Sequence, residues 1–262
     1  MKGLPIAWPQ CGTQIALRLR SRCCIITSVL LLALDTCDSR GSIALLDGSR
    51  LLSEVSHPPT EEFSSWLLPA VSRLLAEHRV SHADLAGYAV ASGPGSFTGV
   101  RVGVTTVKAW SEVYGKPIFP TTRLAVLADR APGSATHVAT FIDAQRNQIF
   151  AALYSRNSGA SNTLIEESVI APDDFFSQAA NMSQGDVAWV TLDPHIFESS
   201  AFARLHSASP PELTVVQPPL AAAIALRVIA QPVPFQLDAL ALDANYVRRS
   251  DAEIFGKKTA AT

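Results

Sequence analysis

Residues 29–34 form an unbroken apolar stretch closed by Asp35, the pattern of a strand buried on both faces. Residues 41–46 and 50–55 predict two further strands, and Asp47-Gly48 between them is a two-residue hairpin turn. His57-Pro58-Pro59-Thr60 ends the hairpin, with Thr60 as the candidate helix cap. Phe63, Trp66, Leu67, Ala70, Val71, Leu74 and Leu75 then recur at helical spacing. They predict one amphipathic helix, kinked at Pro69, whose ring crowds the carbonyl of Ser65. A fourth strand follows over 87–92, a second helix over 99–114, a fifth strand over 116–119 and a third helix over 122–130. Pro132-Gly133-Ser134 reads as a lobe boundary.

The second half begins as the first does. Residues 137–142 are apolar and end in Asp143; a polar turn (Gln145, Arg146, Asn147) leads to a strand over 148–154 and another over 163–170. A buried strand closed by Asp, a turn, and a returning strand thus occur twice, which suggests two related lobes. Helices are expected over 172–182 and 196–205 with a strand over 187–192 between them. A Pro-rich loop over 207–219 and a helix over 220–230 complete the pattern. The expected organisation is an N-terminal extension over 1–28, a first lobe over 29–132, and a second lobe with a terminal tail over 133–262.

Composition narrows the class. Of 262 residues, 48% are hydrophobic and 17% charged, which excludes a disordered chain. A net charge of −2 argues against a broad surface that tracks phosphates. The longest apolar run, 23–34, is too short to span a membrane, which needs about 20 residues. All the cysteines (Cys11, Cys23, Cys24, Cys37) lie near the start, at spacings that fit no zinc pattern. No disulfide framework holds the body, and a reducing, cytoplasmic compartment is expected. Arg18, Arg20 and Arg22 before the apolar run resemble a signal peptide, but the basic segment is very long and no small-residue cleavage site follows. A disordered extension, or a fold that opens near Val29, is the other reading.

Residues 93–99 (Gly-Pro-Gly-Ser-Phe-Thr-Gly) carry the most information. Gly93, Gly95 and Gly99, with Ser96 and Thr98, join a strand to a helix. Such a loop either turns its amides and the helix start towards an anion, or lets the helix pack hard on the sheet. Its spacing matches neither the dinucleotide fingerprint nor the P-loop, since Gly99 is followed by Val100-Arg101. Asp35 and Asp143 are candidate cleft carboxylates, placed to orient water or a metal, or else to bond loop amides. His78 and His82 stand four apart on a helix end; they read either as a metal pair or as two solvated histidines. The helical stripes read as core, or as a surface for a partner helix.

Several stretches then point to a family. "LLALDTCDSRGSIALLDG", "LLPAVSRLL", "ASGPGSFTGVRVGVTTVKAW", "GKPIFPTTRLAVLA", "FIDAQRNQIFAALY" and "ANYVRRSDAE" follow one another in order between Val29 and Glu253. Together they resemble the TsaB (YeaZ) family. The resemblance implies an α/β fold of the actin/Hsp70/sugar-kinase (ASKHA) type, with two duplicated lobes of mixed sheet and flanking helices. It also implies a subunit without catalysis of its own that pairs with TsaD and works with the ATPase TsaE. That complex moves a threonylcarbamoyl group to N6 of adenosine 37 in tRNAs reading codons that start with A. The implied partner face comprises Phe63, Trp66, Val71, Arg101, Gly103, Val107 and Trp110, and the same face is expected to form a homodimer when TsaD is absent.

The chain departs from the pattern at several points. The His78/His82 pair lies before the glycine loop, whereas the metal-binding pair of TsaD-type enzymes lies beyond theirs. Cys37-Asp38-Ser39-Arg40 replaces the Gly-rich phosphate turn of nucleotide-binding members, and Thr191-Leu192-Asp193 replaces a Gly-Asp-Gly. Phe63-Ser64 replaces a His-Ser pair, and Asp143-Ala144-Gln145 an Asp-Ala-Arg. No metal and no cofactor are therefore expected on the isolated subunit, ATP being used by the assembled complex, with little direct contact to tRNA. The competing reading is an ATP-dependent small-molecule kinase, or a glycoprotease-like hydrolase, of the same superfamily.

Overall fold

The computed structural model describes residues 29–157, 160–184, 186–206, 211–231 and 242–243. The N-terminal extension, Cys11, Cys23 and Cys24, and the tail motif over 244–250 lie outside them.

The first sheet is built from β1 (Leu30–Asp35), β2 (Ser42–Asp47), β3 (Arg50–Ser56), β4 (Gly87–Ala91) and β5 (Ile118–Thr121) in the order β3-β2-β1-β4-β5. The second contains β6 (His137–Asp143), β7 (Ile149–Asn157), β8 (Ala160–Ile170), β9 (Ala188–Thr191) and β10 (Leu213–Val215) in the order β10-β9-β6-β7-β8. Renumbered from their first strands, the two sheets have one topology. In each, the first strand pairs antiparallel with the second and parallel with the fourth. Asp35 and Asp143 occupy the same place, the last residue of the first strand. The repeat read from two aspartates is thus a duplication of the whole sheet. β10 falls inside the stretch expected to be loop: three residues among prolines carry no alternation to read.

Two long helices cover one face of the first sheet. Helix α1 (Phe63–Glu77) buries Trp66, Leu67, Ala70, Val71, Leu74 and Leu75 and runs on through Pro69. Its N-cap is Glu62, not Thr60. Helix α2 (Phe97–Tyr114) starts two residues earlier than expected, because the Ser96 hydroxyl accepts a hydrogen bond from the Gly99 amide and sets the cap there. Gly115 ends it in the left-handed region. On the second sheet, α4 (Pro172–Met182) packs Phe175 and Phe176 against Trp189, while the segment expected as one helix is two, α5 (Pro194–Glu198) and α6 (Ala201–Leu205). Ser200, which caps α6, breaks it.

The remaining two helices cross over. Helix α3 (Arg123–Ala128) follows the first sheet but packs on β6, β7 and β9; helix α7 (Ala221–Ala230) follows the second sheet but packs on β1, β2 and β4. The amide of Ala221 donates to Ser42 Oγ (3.0 Å) and that of Ala222 to Glu54 Oε1 (2.8 Å), so residues of the first sheet cap the start of α7. A single hydrophobic core therefore runs from Leu32 and Leu45 through Leu124 and Ile224 to Val138 and Tyr154. The far face of the second sheet holds a separate, aromatic cluster. No helix among the described residues is long and apolar enough to cross a membrane.

Candidate functional site

The glycine loop lies against the turn after β1. A Cβ on Gly95 would overlap the Cys37 carbonyl oxygen, one on Gly99 the Thr36 carbonyl oxygen, and one on Gly103 the Thr36 hydroxyl, each at well under 3.0 Å. The Ser96 amide donates to the Cys37 carbonyl (2.6 Å), and the Thr36 hydroxyl donates to the Gly99 carbonyl (2.7 Å). The glycines thus serve backbone-to-backbone packing of α2 on the end of β1. Gly93 accepts from the Arg123 amide (2.8 Å), and Thr98 is exposed on the first turn of α2.

Beside this loop a ladder of charges crosses between the lobes. Asp35 is completely buried; its Oδ1 accepts from the Cys37 amide (3.0 Å) and its Oδ2 lies 3.2 Å from Nε of Arg123, itself buried. Arg123 Nη1 reaches Asp38 Oδ2 at 2.8 Å, and Arg40 Nη2 meets the same oxygen at 2.6 Å. Arg40 Nη1 then donates to Asp193 Oδ1 in the second lobe (2.7 Å), and Asp193 Oδ2 accepts from the Asp143 amide (2.9 Å). Asp143 itself is taken up by its own turn: its two carboxylate oxygens accept from the amide (2.7 Å) and the side chain (2.8 Å) of Gln145. The expectation of a carboxylate facing an open cleft is corrected here for Asp35, while Asp143 lines a hollow of about 300 Å³ with Asp173, His195 and Ser199. Asp35 is sealed behind Arg123, and Asp143 holds a strand-end turn. Among the described residues no group of three or more His, Cys, Asp or Glu is arranged to hold a metal.

The arginines set the local chemistry. Burial alone would raise the Asp38 carboxyl, but the Arg123 guanidinium, with Arg40 beside it, outweighs this and holds it down at about 2, against an ordinary 3.8. Because the folded value lies below the unfolded one, the stabilisation is complete above about pH 4 and is lost as pH falls through 2. It is worth about 2 kcal/mol. Asp38→Asn is therefore expected to lower stability at pH 7 by about that amount and to flatten the acid limb of a stability–pH curve; equal acid limbs in both proteins would contradict the assignment. The Cys37 thiol is driven up by burial and by Asp35, and its Sγ donates to the Ala91 carbonyl, so it is an unreactive core group.

The outer face of α1 and α2 differs from expectation residue by residue. Trp66, Val71, Gly103 and Val107 are buried against the sheet, so these four proposed contact residues belong to the intramolecular core. Phe63 is half-buried, stacked on His57 at 3.9 Å between ring centroids; Trp110 is half-buried beside Tyr88. Arg101 is exposed, its guanidinium 3.8 Å over the Phe97 ring. The large apolar residues of these helices that do reach solvent are Leu68 (55% exposed), Phe97 (38%), Val113 (72%) and Tyr114 (41%). Between the helices lies a groove of about 370 Å³, lined by Leu68, Ser72 and Ala76 of α1 and by Trp110 and Tyr114 of α2. His82 closes one end of it. Read from sequence as one of two solvated histidines, it is stacked on Tyr114 (4.7 Å) and bonded to the Tyr88 hydroxyl (3.0 Å), and burial depresses its pKa.

Two copies of a 3-2-1-4-5 sheet with exchanged helices define a protein of the actin/Hsp70/sugar-kinase class, here with the turns of its two lobes bridged by Arg40. Residues 51–230 match the family model described as TsaD: tRNA N6-adenosine threonylcarbamoyltransferase. The chain belongs to that family, on its TsaB (YeaZ) branch. It is 33% identical to the tRNA threonylcarbamoyladenosine biosynthesis protein TsaB of Bacillus subtilis, over 55% of this chain and 60% of that protein. The match thus spans less than two thirds of the Bacillus protein. With the protein of the same name from Escherichia coli the identity is 29%, over 62% of this chain and 70% of the other. The solved structure of YeaZ from Pseudomonas aeruginosa superposes with a TM-score of 0.63 at 26% identity, covering 81% of this chain and 96% of that one. A further Pseudomonas aeruginosa structure, described as similar to peptidase YEAZ, gives 0.66 at 26%, over 84% and 99%.

Proposed function

We propose that this chain is a non-catalytic subunit in the synthesis of threonylcarbamoyladenosine at position 37 of tRNAs that read A-starting codons. It docks TsaD through the exposed residues of α1 and α2, and the pair works with TsaE. The observation that carries the reading is the exposure of Leu68 on α1 and of Val113 and Tyr114 on α2, in a chain whose buried Asp35 and neighbouring Asp38 are bound up by Arg123. Chemistry then belongs to the partner, and so does ATP: the isolated subunit holds no nucleotide, and tRNA is met mainly by the complex. A groove flanked by small residues suits the close approach of partner helices, and a stable pairing buries about 800 Å² per side. In the absence of TsaD the same face closes on a second copy of the chain.

Leu68→Asp with Val113→Asp puts two charges into that contact without touching the core. We expect co-purification with TsaD to weaken about a hundredfold, with the thermal midpoint of the lone chain nearly unchanged. Modification by the reconstituted complex should fall with it. An intact pair in the double variant, or tRNA modification by this chain alone, would overturn the proposal.

A further inference from the structure

The ladder of charges described above joins two turns on different lobes. Arg40 follows β1 and Asp193 follows β9, 153 positions apart, yet Nη1 of one is 2.7 Å from Oδ1 of the other and 3.4 Å from the Leu192 carbonyl. Each end is braced. Arg40 is held by Asp38 through Nε (3.1 Å) and Nη2, and Asp38 also accepts from the Arg40 amide (2.8 Å). Asp193 is fixed by the Asp143 amide on its second oxygen, and its own amide donates to the Thr191 hydroxyl (2.9 Å). The Thr191 hydroxyl in turn donates to the Phe141 carbonyl (2.7 Å). Both groups arrive with their rotamers already spent, so little further entropy is lost on pairing. The Asp193 carboxylate is 10% exposed and the Arg40 side chain 31%, so the pair is shielded on one side and wetted on the other.

We propose that the Arg40–Asp193 pair is a latch that ties the turn after β1 to the turn after β9, so that the two turns order and loosen together, with Asp38 and Asp143 as its braces. The latch is independent of the docking face and of the transferase reading. When it opens, both turns lose their order together, because Asp193 supports the Asp143 amide in one lobe and Arg40 supports Asp38 in the other. Any anion that reached Arg40 would have to displace Asp38 and Asp193 first.

The test is amide hydrogen exchange on the full chain. Asp193→Asn keeps an oxygen for the Asp143 amide but removes the charge that faces Arg40. It is expected to raise exchange in the opposite lobe, at the amides of Cys37 and Arg40, about tenfold. Arg40→Gln should do the same at Asp143 and Asp193. In the double variant the rise should match that of either single change, since one contact is broken in all three. Raising salt from low to high ionic strength should loosen the parent chain and leave Arg40→Gln unaffected. Exchange that changes in the mutated lobe alone, or a double variant whose effects multiply, would overturn the latch. Should Arg40→Gln fail to fold because Asp38 is left with Arg123 alone, Asp193→Asn and the salt series decide the matter by themselves.

Discussion

Arg123→Ala is expected to cost about 3–5 kcal/mol in a denaturant titration. The reason is asymmetric. Asp35 is completely buried, and the Arg123 guanidinium is the positive group against it. Removing the arginine leaves a carboxylate in the core with one backbone amide for company, and takes from Asp38 one of its two cationic partners. The pair itself is not an efficient stabiliser: Arg123 Nη2 has no hydrogen-bond partner among the described residues, and Nε meets Asp35 off the hydrogen-bonding line. Replacing both partners, as Arg123→Met with Asp35→Leu, should accordingly recover much of the loss. A single variant that loses less than about 1 kcal/mol would contradict the role given to Arg123.

Gly99→Ala is the second large effect. The added methyl carbon would fall on the Thr36 carbonyl oxygen, a backbone atom that cannot rotate away. Helix α2 would have to lift off the end of β1, breaking the bond from the Thr36 hydroxyl to the Gly99 carbonyl. Overpacking of this kind costs about 1–3 kcal/mol, and more where backbone is struck. The expected result is a thermal midpoint lower by roughly 5–10 °C, together with weaker pairing through the proposed docking face, because α2 carries Val113 and Tyr114. Gly133→Ala is the control: an added methyl there meets no neighbouring atom, and the backbone is not left-handed. A Gly99→Ala chain as stable as the parent would mean that the loop yields where the structure has it locked.

Much of this was readable before any coordinates. The strands declared themselves because a strand buried on both faces is a plain apolar run, and Asp35 and Asp143 mark the same place in two copies of one sheet. Trp66, Val71, Gly103 and Val107, expected at a partner face, lie in the core for a physical reason. Large aromatics such as Trp66 attract attention as anchors, but a residue on the apolar stripe faces the sheet. Leu68 and Val113, which fall off that stripe, are the ones left in solvent. The informative signal was an apolar residue where the helical period calls for a polar one. Arg123 was overlooked because it opens an otherwise apolar helix, where an arginine passes for a surface residue. Its burial depends on Asp35 and Asp38, some 85 positions away, and no local pattern carries that. Nor could spacing show that Arg40 and Asp193, residues at two of the departures from the family pattern, touch one another.

The crossing of α3 and α7 bears on how such a molecule can be divided. Each sheet is roofed by a helix encoded with the other half, so a fragment cut at the midpoint would carry one naked sheet and one homeless helix. The duplication has passed the point where either copy could be returned to independent life.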